Sequence, residues 1–359
     1  KIIPYCEDLA GNTNKGIKDE GVTAPYDFTI DTIDPKISVK YYVNGEEISV
    51  SDNEENRSYS QKPITAVVSI DEHNFAYEKT FSSETDQMNL QIIGNNPPEE
   101  VTSDEYIDYL NNFTDNAENS EKWNPNNGVY TNEFEFTLDG NYSLSITYED
   151  LAGRTCTYDS HYFTVDGAAP NKGDITVTTN EGVNSWLNKF LDSITFGFFD
   201  KFSNRNIAVV MDGDDVTSGV AKIEHYDSEQ EMSLEEIETL SNDAWRPYSE
   251  GGYEIAPDKQ FIPYMKVTDR AGNVSYFSTE SGFVADKTGP SVNLECTNLN
   301  AARNGIFNPS AGTVKFRVTA QDVETETYSG IKEIWYEVHA EGNASGSIER
   351  VTVFNAEAS

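Results

Sequence analysis

A carboxylate stands at the mouth of three near-identical turns, Asp8-Leu-Ala-Gly-Asn12, Asp150-Leu-Ala-Gly-Arg154 and Asp269-Arg-Ala-Gly-Asn273. After each comes an alternating run, then a second Asp with Pro four residues beyond it: Asp31 before Pro35, Asp166 before Pro170, Asp286 before Pro290. More acids fall in loops that follow apolar runs, at Asp71 and Glu72, at Asp214 and Asp215, and at Asp322. Oxygen-bearing side chains on loops suit a hard cation, because Ca²⁺ takes about six to eight oxygen ligands in flexible geometry. The competing role is local. An Asp in a turn accepts backbone N–H bonds two residues on, and needs no metal to do so.

Other chemistry has little to stand on. The four His, at 73, 161, 225 and 339, are scattered, and no two share a ligand spacing. No nucleophile elbow, Gly-rich phosphate loop or metallopeptidase helix occurs. Paired carboxylates are everywhere in a chain with 62 acids and 25 bases, so they do not argue for glycoside hydrolysis. The expectation is no catalysis. Cys6, Cys156 and Cys296 lie in different repeat copies and form no C-x-x-C, so neither an intradomain disulfide framework nor a zinc site is expected.

The turns need elements to hold them. Phe261, Pro263, Met265 and Val267 alternate with Ile262, Tyr264, Lys266 and Thr268, which is strand periodicity. The Asp269 turn follows, then a second strand ending at Phe283-Val-Ala-Asp286. Two strands and a tight turn make a hairpin, the last hairpin (F–G) of an immunoglobulin-like sandwich. The first half of the unit recurs as well. An apolar strand B, an acidic loop and strand C are read from ITFGFFD (194–200), DGDDVTSG (212–219) and the run after Ser218, and again from VKFRVTAQD (314–322) and SGIKEIWY (329–336). In the first complete unit strand B is ITAVVSI (64–70), followed by Asp71-Glu-His-Asn-Phe75. Between strands C and E, Thr102-Ser-Asp-Glu105 and Ser233-Leu-Glu-Glu236 are capping boxes that open helical inserts. A Trp follows each helix, Trp123 and Trp245, and is assigned to the core.

These repeats divide the chain into 1–34, the C-terminal hairpin of a truncated domain; 35–169 and 170–289, two complete domains with helical inserts; and 290–359, the opening of a fourth. The fold class is all-β: tandem immunoglobulin-like sandwiches. The Pro-containing linkers are short, and Pro restricts both itself and the residue before it, so a stiff rod is expected. The chain starts and stops inside repeat units and is read as a piece of a longer polypeptide.

In such a sandwich the B–C loop, the F–G turn and the incoming linker share one end. Acids should therefore converge at each joint. The first joint would gather Asp31 and Asp34, Asp71 and Glu72, and Glu149 and Asp150. The second would gather Asp166, Asp214, Asp215 and Asp269. The third would have Asp286 and Asp322. Two readings stay open there: each Asp caps its own turn and faces water, or the gathered acids share a Ca²⁺, the one cofactor these residues suggest.

The formal charge is −37, spread along the whole chain. Such a field repels nucleic acid and anionic membranes. No apolar run is long enough to span a bilayer.

The D-x-A-G-N turn, the F-x-x-D-x-x-x-P exit and the acidic loop before Ser-Gly-Val/Ile together resemble the bacterial Ig-like repeats of large surface proteins. Arg154 replaces the turn Asn in one copy, and the first copy has about seven extra residues before its exit. The resemblance implies a stalk or adhesive region of a bacterial cell-surface or secreted protein. One alternative is a module whose inserts, 91–122 and 228–245, bind a host or matrix protein or glycan. Another is an accessory region of a secreted enzyme. A monomeric rod is expected; head-to-tail assembly, with the N-terminal hairpin completing the next chain's C-terminal half, is the alternative.

Overall fold

The computed structural model describes residues 6–14, 30–75, 88–98, 100–179, 191–192, 199–297, 302–303, 306–307, 315–322, 329–338 and 347–351. The chain forms two compact units, Lys1–Gly167 and Ala168–Ser359.

The first unit opens with a small hairpin, β1 (Cys6–Glu7) and β2 (Thr13–Asn14), around the Asp8 turn. Residues 15–29, the rest of that sequence repeat, lie outside the described residues. A complete sandwich follows. It contains β3 (Lys36–Val43), β4 (Glu46–Ile48), β5 (Ser58–Ser60), β6 (Ile64–Asp71), β7 (Met88–Asn95), helix α1 (Ser103–Glu118), β8 (Asn124–Asn126), β9 (Val129–Phe136), β10 (Gly140–Glu149) and β11 (Thr155–Val165). One sheet has the order β4-β3-β6-β9-β8 and the other β5-β11-β10-β7. Strands β3, β6 and β9 are the A, B and E strands of an immunoglobulin-like sandwich, and β7, β10 and β11 are C, F and G.

Alternation builds this core. Ile64, Ala66, Val68 and Ile70 of β6 are buried, as are Tyr142, Leu144, Ile146 and Tyr148 of β10. Odd and even positions of a strand face opposite ways, so each strand lends one face to the interior. The expected capping box opens α1: Thr102 Oγ1 accepts from the Glu105 amide at 3.3 Å, and Glu105 Oε2 accepts from the Thr102 amide at 2.9 Å. Tyr106, Phe113 and Ala117 form the helix's buried stripe. Trp123 is 2% exposed, and its indole N–H donates to the Ala117 carbonyl at 2.9 Å. That bond satisfies one of the carbonyls a helix C-terminus leaves unpaired.

Tyr106 rests on two strand glycines. A Cβ at Gly94 would lie 2.5 Å from Tyr106 Oη and 2.9 Å from Leu110 Cδ2. A Cβ at Gly140 would also lie 2.5 Å from Tyr106 Oη. Overpacking a closed interior costs about 1–3 kcal/mol. Gly94→Ala is therefore expected to lower the urea midpoint of the first unit by a corresponding amount. An unchanged midpoint would show that the helix is not seated there.

The second unit repeats the plan. Its strands are β12 (Lys172–Thr179), β13 (Leu191–Asp192), β14 (Phe199–Ser203), β15 (Ile207–Asp214), β16 (Val220–Ser228), helix α2 (Leu234–Glu238), β17 (Arg246–Pro247), β18 (Tyr253–Ile255), β19 (Lys259–Asp269), β20 (Val274–Ser278) and β21 (Gly282–Ala285). The A-B-E sheet is β12-β15-β18, faced by β16, β19 and the β20/β21 strand. Strand B is thus Ile207–Asp214, not ITFGFFD. The described end of that segment, β14, runs parallel beside β21, as β5 runs parallel beside β11 in the first unit. The physical reason is burial: Ile207, Val209 and Met211 alternate into the core, whereas the polar tail Asp212-Gly-Asp214 reads as a turn in sequence.

Strand β19 is covered on both faces. Phe261, Met265 and Val267 pack with the A-B-E sheet, and Ile262 and Tyr264 pack with Ile237 of α2 and Trp245. Trp245 is a core residue, as expected.

The remaining strands are β22 (Ser291–Cys296), β23 (Ala302–Arg303), β24 (Ile306–Phe307), β25 (Phe316–Gln321), β26 (Ile334–Val338) and β27 (Ser347–Val351). Strands β22 and β25 pair antiparallel, from Ser291 opposite Gln321 to Cys296 opposite Phe316. Cys156 is a free thiol. Among the described residues no helix is long and apolar enough to cross a membrane.

Candidate metal centre

Strand β6 delivers two acids to the end of the first complete sandwich, and alternation separates them. Asp71 points outward and is exposed, opposite Lys36 and Val129 in the ladder. Glu72 continues the phase of Ile64, Ala66, Val68 and Ile70, and is 3% exposed. Its amide donates to the Gly128 carbonyl at 2.9 Å, and its Oε1 accepts from the Asn74 amide at 2.6 Å. Its Oε2 is buried with no hydrogen-bond partner. A buried carboxylate oxygen left without a donor or cation costs free energy, so some compensating group is called for.

Strand β10 supplies the second acid by the same phase rule. Asp150 follows Tyr142, Leu144, Ile146 and Tyr148 inward and is fully buried. Its Oδ1 accepts from the Ala152 and Arg154 amides, both at 2.8 Å, which is the turn-capping role read from sequence. Glu149, one residue earlier, is exposed. The linker brings the third. Asp31 Oδ1 accepts from the Ile33 amide at 3.0 Å, and Oδ2 accepts from the Asn74 side chain at 2.6 Å.

One oxygen each from Asp31, Glu72 and Asp150 lies within 4.8 Å of the other two. Oxygens bound to one Ca²⁺ at about 2.4 Å stand at most about 4.8 Å apart, so the three meet the distance limit for sharing a single ion. The set is all oxygen, which suits Ca²⁺ over a thiolate- or imidazole-seeking metal. The electrostatics agree with crowding. Burial pushes the Glu72 carboxyl above the usual range against its bond from the Asn74 amide, and the Asp31 and Asp150 charges add to the rise. Hydrogen bonds from the Ile33 amide and the Asn74 side chain hold Asp31 below that range. Nearby Cys156 is pushed up to about 11 by burial first, then by Glu72 and Asp150.

In the second unit Asp215 and Asp269 occupy the matching loop and turn, with carboxylate oxygens within 4.8 Å of each other. Asp215 Oδ2 accepts from the Ser218 and Gly219 amides at 2.9 and 2.8 Å. Asp269 Oδ1 accepts from the Gly272 and Asn273 amides at 2.6 and 2.8 Å. Asp214 is exposed in β15, opposite Lys172 in the ladder, and stands apart from them. Asp166 closes β11 of the first unit, its amide donating to the Ser60 carbonyl at 2.9 Å.

Asp286 and Asp322 also come together. Asp286 Oδ2 accepts from the Ser329 amide at 2.6 Å, and Asp322 Oδ2 accepts from the Gly330 amide at 2.7 Å. Burial, then the Asp286 charge, raises the Asp322 carboxyl above its usual range. Of the histidines, His73 is exposed, His161 stacks on Tyr158 and His225 faces Asp227 at 3.3 Å. None belongs to either carboxylate group. His339 lies outside the described residues.

No family model matches the chain, and no curated protein matches it. Among solved structures it is similar to a tetra-tandem repeat in the extending region of a large adhesion protein, with 14% identity and a TM-score of 0.30 over 97% of this chain and 69% of that one. It is also similar to fibronectin(III)-like modules of Clostridium thermocellum CbhA, with 10% identity and a TM-score of 0.22 over 68% of this chain and 94% of that one. Likeness at this level transfers neither arrangement nor activity, and the fold assignment rests on the strand order of each sandwich.

Proposed function

We propose that this chain is a non-catalytic segment of a bacterial surface or secreted protein, a stalk or adhesive region of tandem immunoglobulin-like sandwiches stabilised by Ca²⁺. The observation that carries the metal is Glu72 Oε2, a buried carboxylate oxygen with no donor, beside Asp31 and Asp150. A cation there would cancel the mutual repulsion of the three acids. It would also tie the Asp31–Pro35 linker to the loop and turn of the sandwich that follows it.

Repetition supports a structural role, because the same loop and turn positions carry paired acids in the second unit at Asp215 and Asp269. The inserts favour a spacer over a ligand platform. Trp123 and Trp245 are buried, and the outward side of α1 presents Asp104, Asp108, Asn111, Asn112 and Asp115. An aromatic platform for a glycan would leave such rings exposed.

Glu72→Gln tests the metal with two opposite outcomes. In EDTA it removes a buried charge, so the first unit melts at the same temperature as the parent or a few degrees higher. In millimolar Ca²⁺ it loses the stabilisation the parent gains. Equal calcium responses of parent and variant in thermal melts would exclude Glu72 as a ligand.

A further inference from the structure

The F–G turn of the first sandwich departs from both of its counterparts at the fifth residue. At Asp8 the turn ends in Asn12, whose side-chain amide donates to Asp8 Oδ2 at 2.8 Å. At Asp269 it ends in Asn273, which donates to Asp269 Oδ2 at the same distance. In both, the fifth residue serves its own turn. Arg154 holds that position beside Asp150, and its guanidinium reaches out of the turn to form an ion pair with Asp34. Asp34 lies in the linker, three residues after Asp31 and next to the buried Pro35. The Arg154 amide meanwhile donates to Asp150 Oδ1. One residue therefore grips the turn ligand through its backbone and the linker through its side chain.

We infer that Arg154 is a positioning residue for the cation, pinning the linker through Asp34 so that Asp31 is presented to Glu72 and Asp150 before the ion arrives. The role rests on the metal reading above. Presenting a loop ligand in advance removes ordering cost from the binding step. A simple charge effect would act the other way, because a guanidinium near a cation weakens its binding. The sign of the change on removing the charge thus separates the two. Its size is limited by solvent: the Arg154 and Asp34 side chains are 36% and 75% exposed, and exposed ion pairs alter equilibria by only a few-fold.

The test uses the whole chain and two readouts. Calcium titrations are run on the parent and on Glu72→Gln, Arg154→Gln, Asp34→Asn, the Arg154→Gln/Asp34→Asn double variant and Arg154→Lys. Hydrogen exchange of the Thr32, Ile33 and Lys36 amides is followed in EDTA. The expected result is that Arg154→Gln and Asp34→Asn each weaken the Glu72-dependent site about two- to five-fold and speed exchange of the linker amides. The double variant is no weaker than either single one, and Arg154→Lys keeps most of the affinity. Tighter calcium binding by Arg154→Gln, additive losses in the double variant, or unaltered linker exchange would each overturn the positioning role. If the parent and Glu72→Gln bind calcium alike, the metal reading itself falls and takes the positioning role with it.

Discussion

Removing calcium from residues 1–359 is expected to lower the melting temperature of the first unit by about 10 °C. A ligand that binds only the folded state stabilises it by about 2.7 kcal/mol at a hundred times its dissociation constant. For a domain of this size, each kcal/mol moves the midpoint by about 4 °C. The response arises at Asp31, Glu72 and Asp150, whose oxygens crowd within 4.8 Å. Without a cation, two of the three are buried carboxylates facing one another. Scanning calorimetry in EDTA and in millimolar Ca²⁺ measures the shift. Mg²⁺ should reproduce little of it, because the smaller ion demands near-octahedral geometry and sheds its water reluctantly.

The second large effect lies in the core. Trp123→Ala is expected to destabilise the first unit by about 3–5 kcal/mol, the range for deleting a buried large aromatic. Trp123 does more than fill volume. Its indole N–H satisfies the Ala117 carbonyl at the end of α1, and its ring lies 5.7 Å from Phe75. Phe75 in turn stacks on Tyr130 at 4.1 Å and Tyr148 at 5.5 Å. Phe75 follows Glu72 by three residues, so this aromatic cluster anchors the loop that carries the buried ligand. The substitution should therefore weaken calcium binding as well as folding. Trp123→Phe should recover part of the stability, though not the bond to Ala117. Urea unfolding of the three proteins gives the energies, and a loss under about 1 kcal/mol for Trp123→Ala would show that the insert is not part of the core.

Much of the fold was legible because strand periodicity and turn chemistry agree. The Asp-x-Ala-Gly turns mark the F–G hairpins, and the two capping boxes open helices where the sequence places them. Strand B of the second sandwich was misplaced because two apolar runs compete. ITFGFFD looks the stronger strand, but its described end belongs to β14, which lies between the short β13 and β21, and Ile207–Asp214 takes the centre of the A-B-E sheet. Burial against a partner sheet decides between them, and that is a tertiary matter.

The candidate site was half legible. The acidic loops and turns stand out, but residue type alone makes neighbouring acids such as Asp71 and Glu72 equivalent. The missed signal is phase. Glu72 follows the inward positions of β6, Asp150 those of β10, Asp215 those of β15 and Asp269 those of β19. Asp71 and Asp214 are one residue out of phase and face solvent. A strand's period of two fixes which of two adjacent carboxylates continues the core face. What phase cannot show is that Arg154 turns away from its own turn to hold Asp34.

A calorimetric calcium titration of residues 1–359 beside the Glu72→Gln variant probes the cation site most directly. The variant is expected to bind one cation fewer than the parent while remaining folded. Equal stoichiometry and affinity in the two proteins would contradict it, and would leave Asp31, Glu72 and Asp150 as structural acids of the linker, loop and turn.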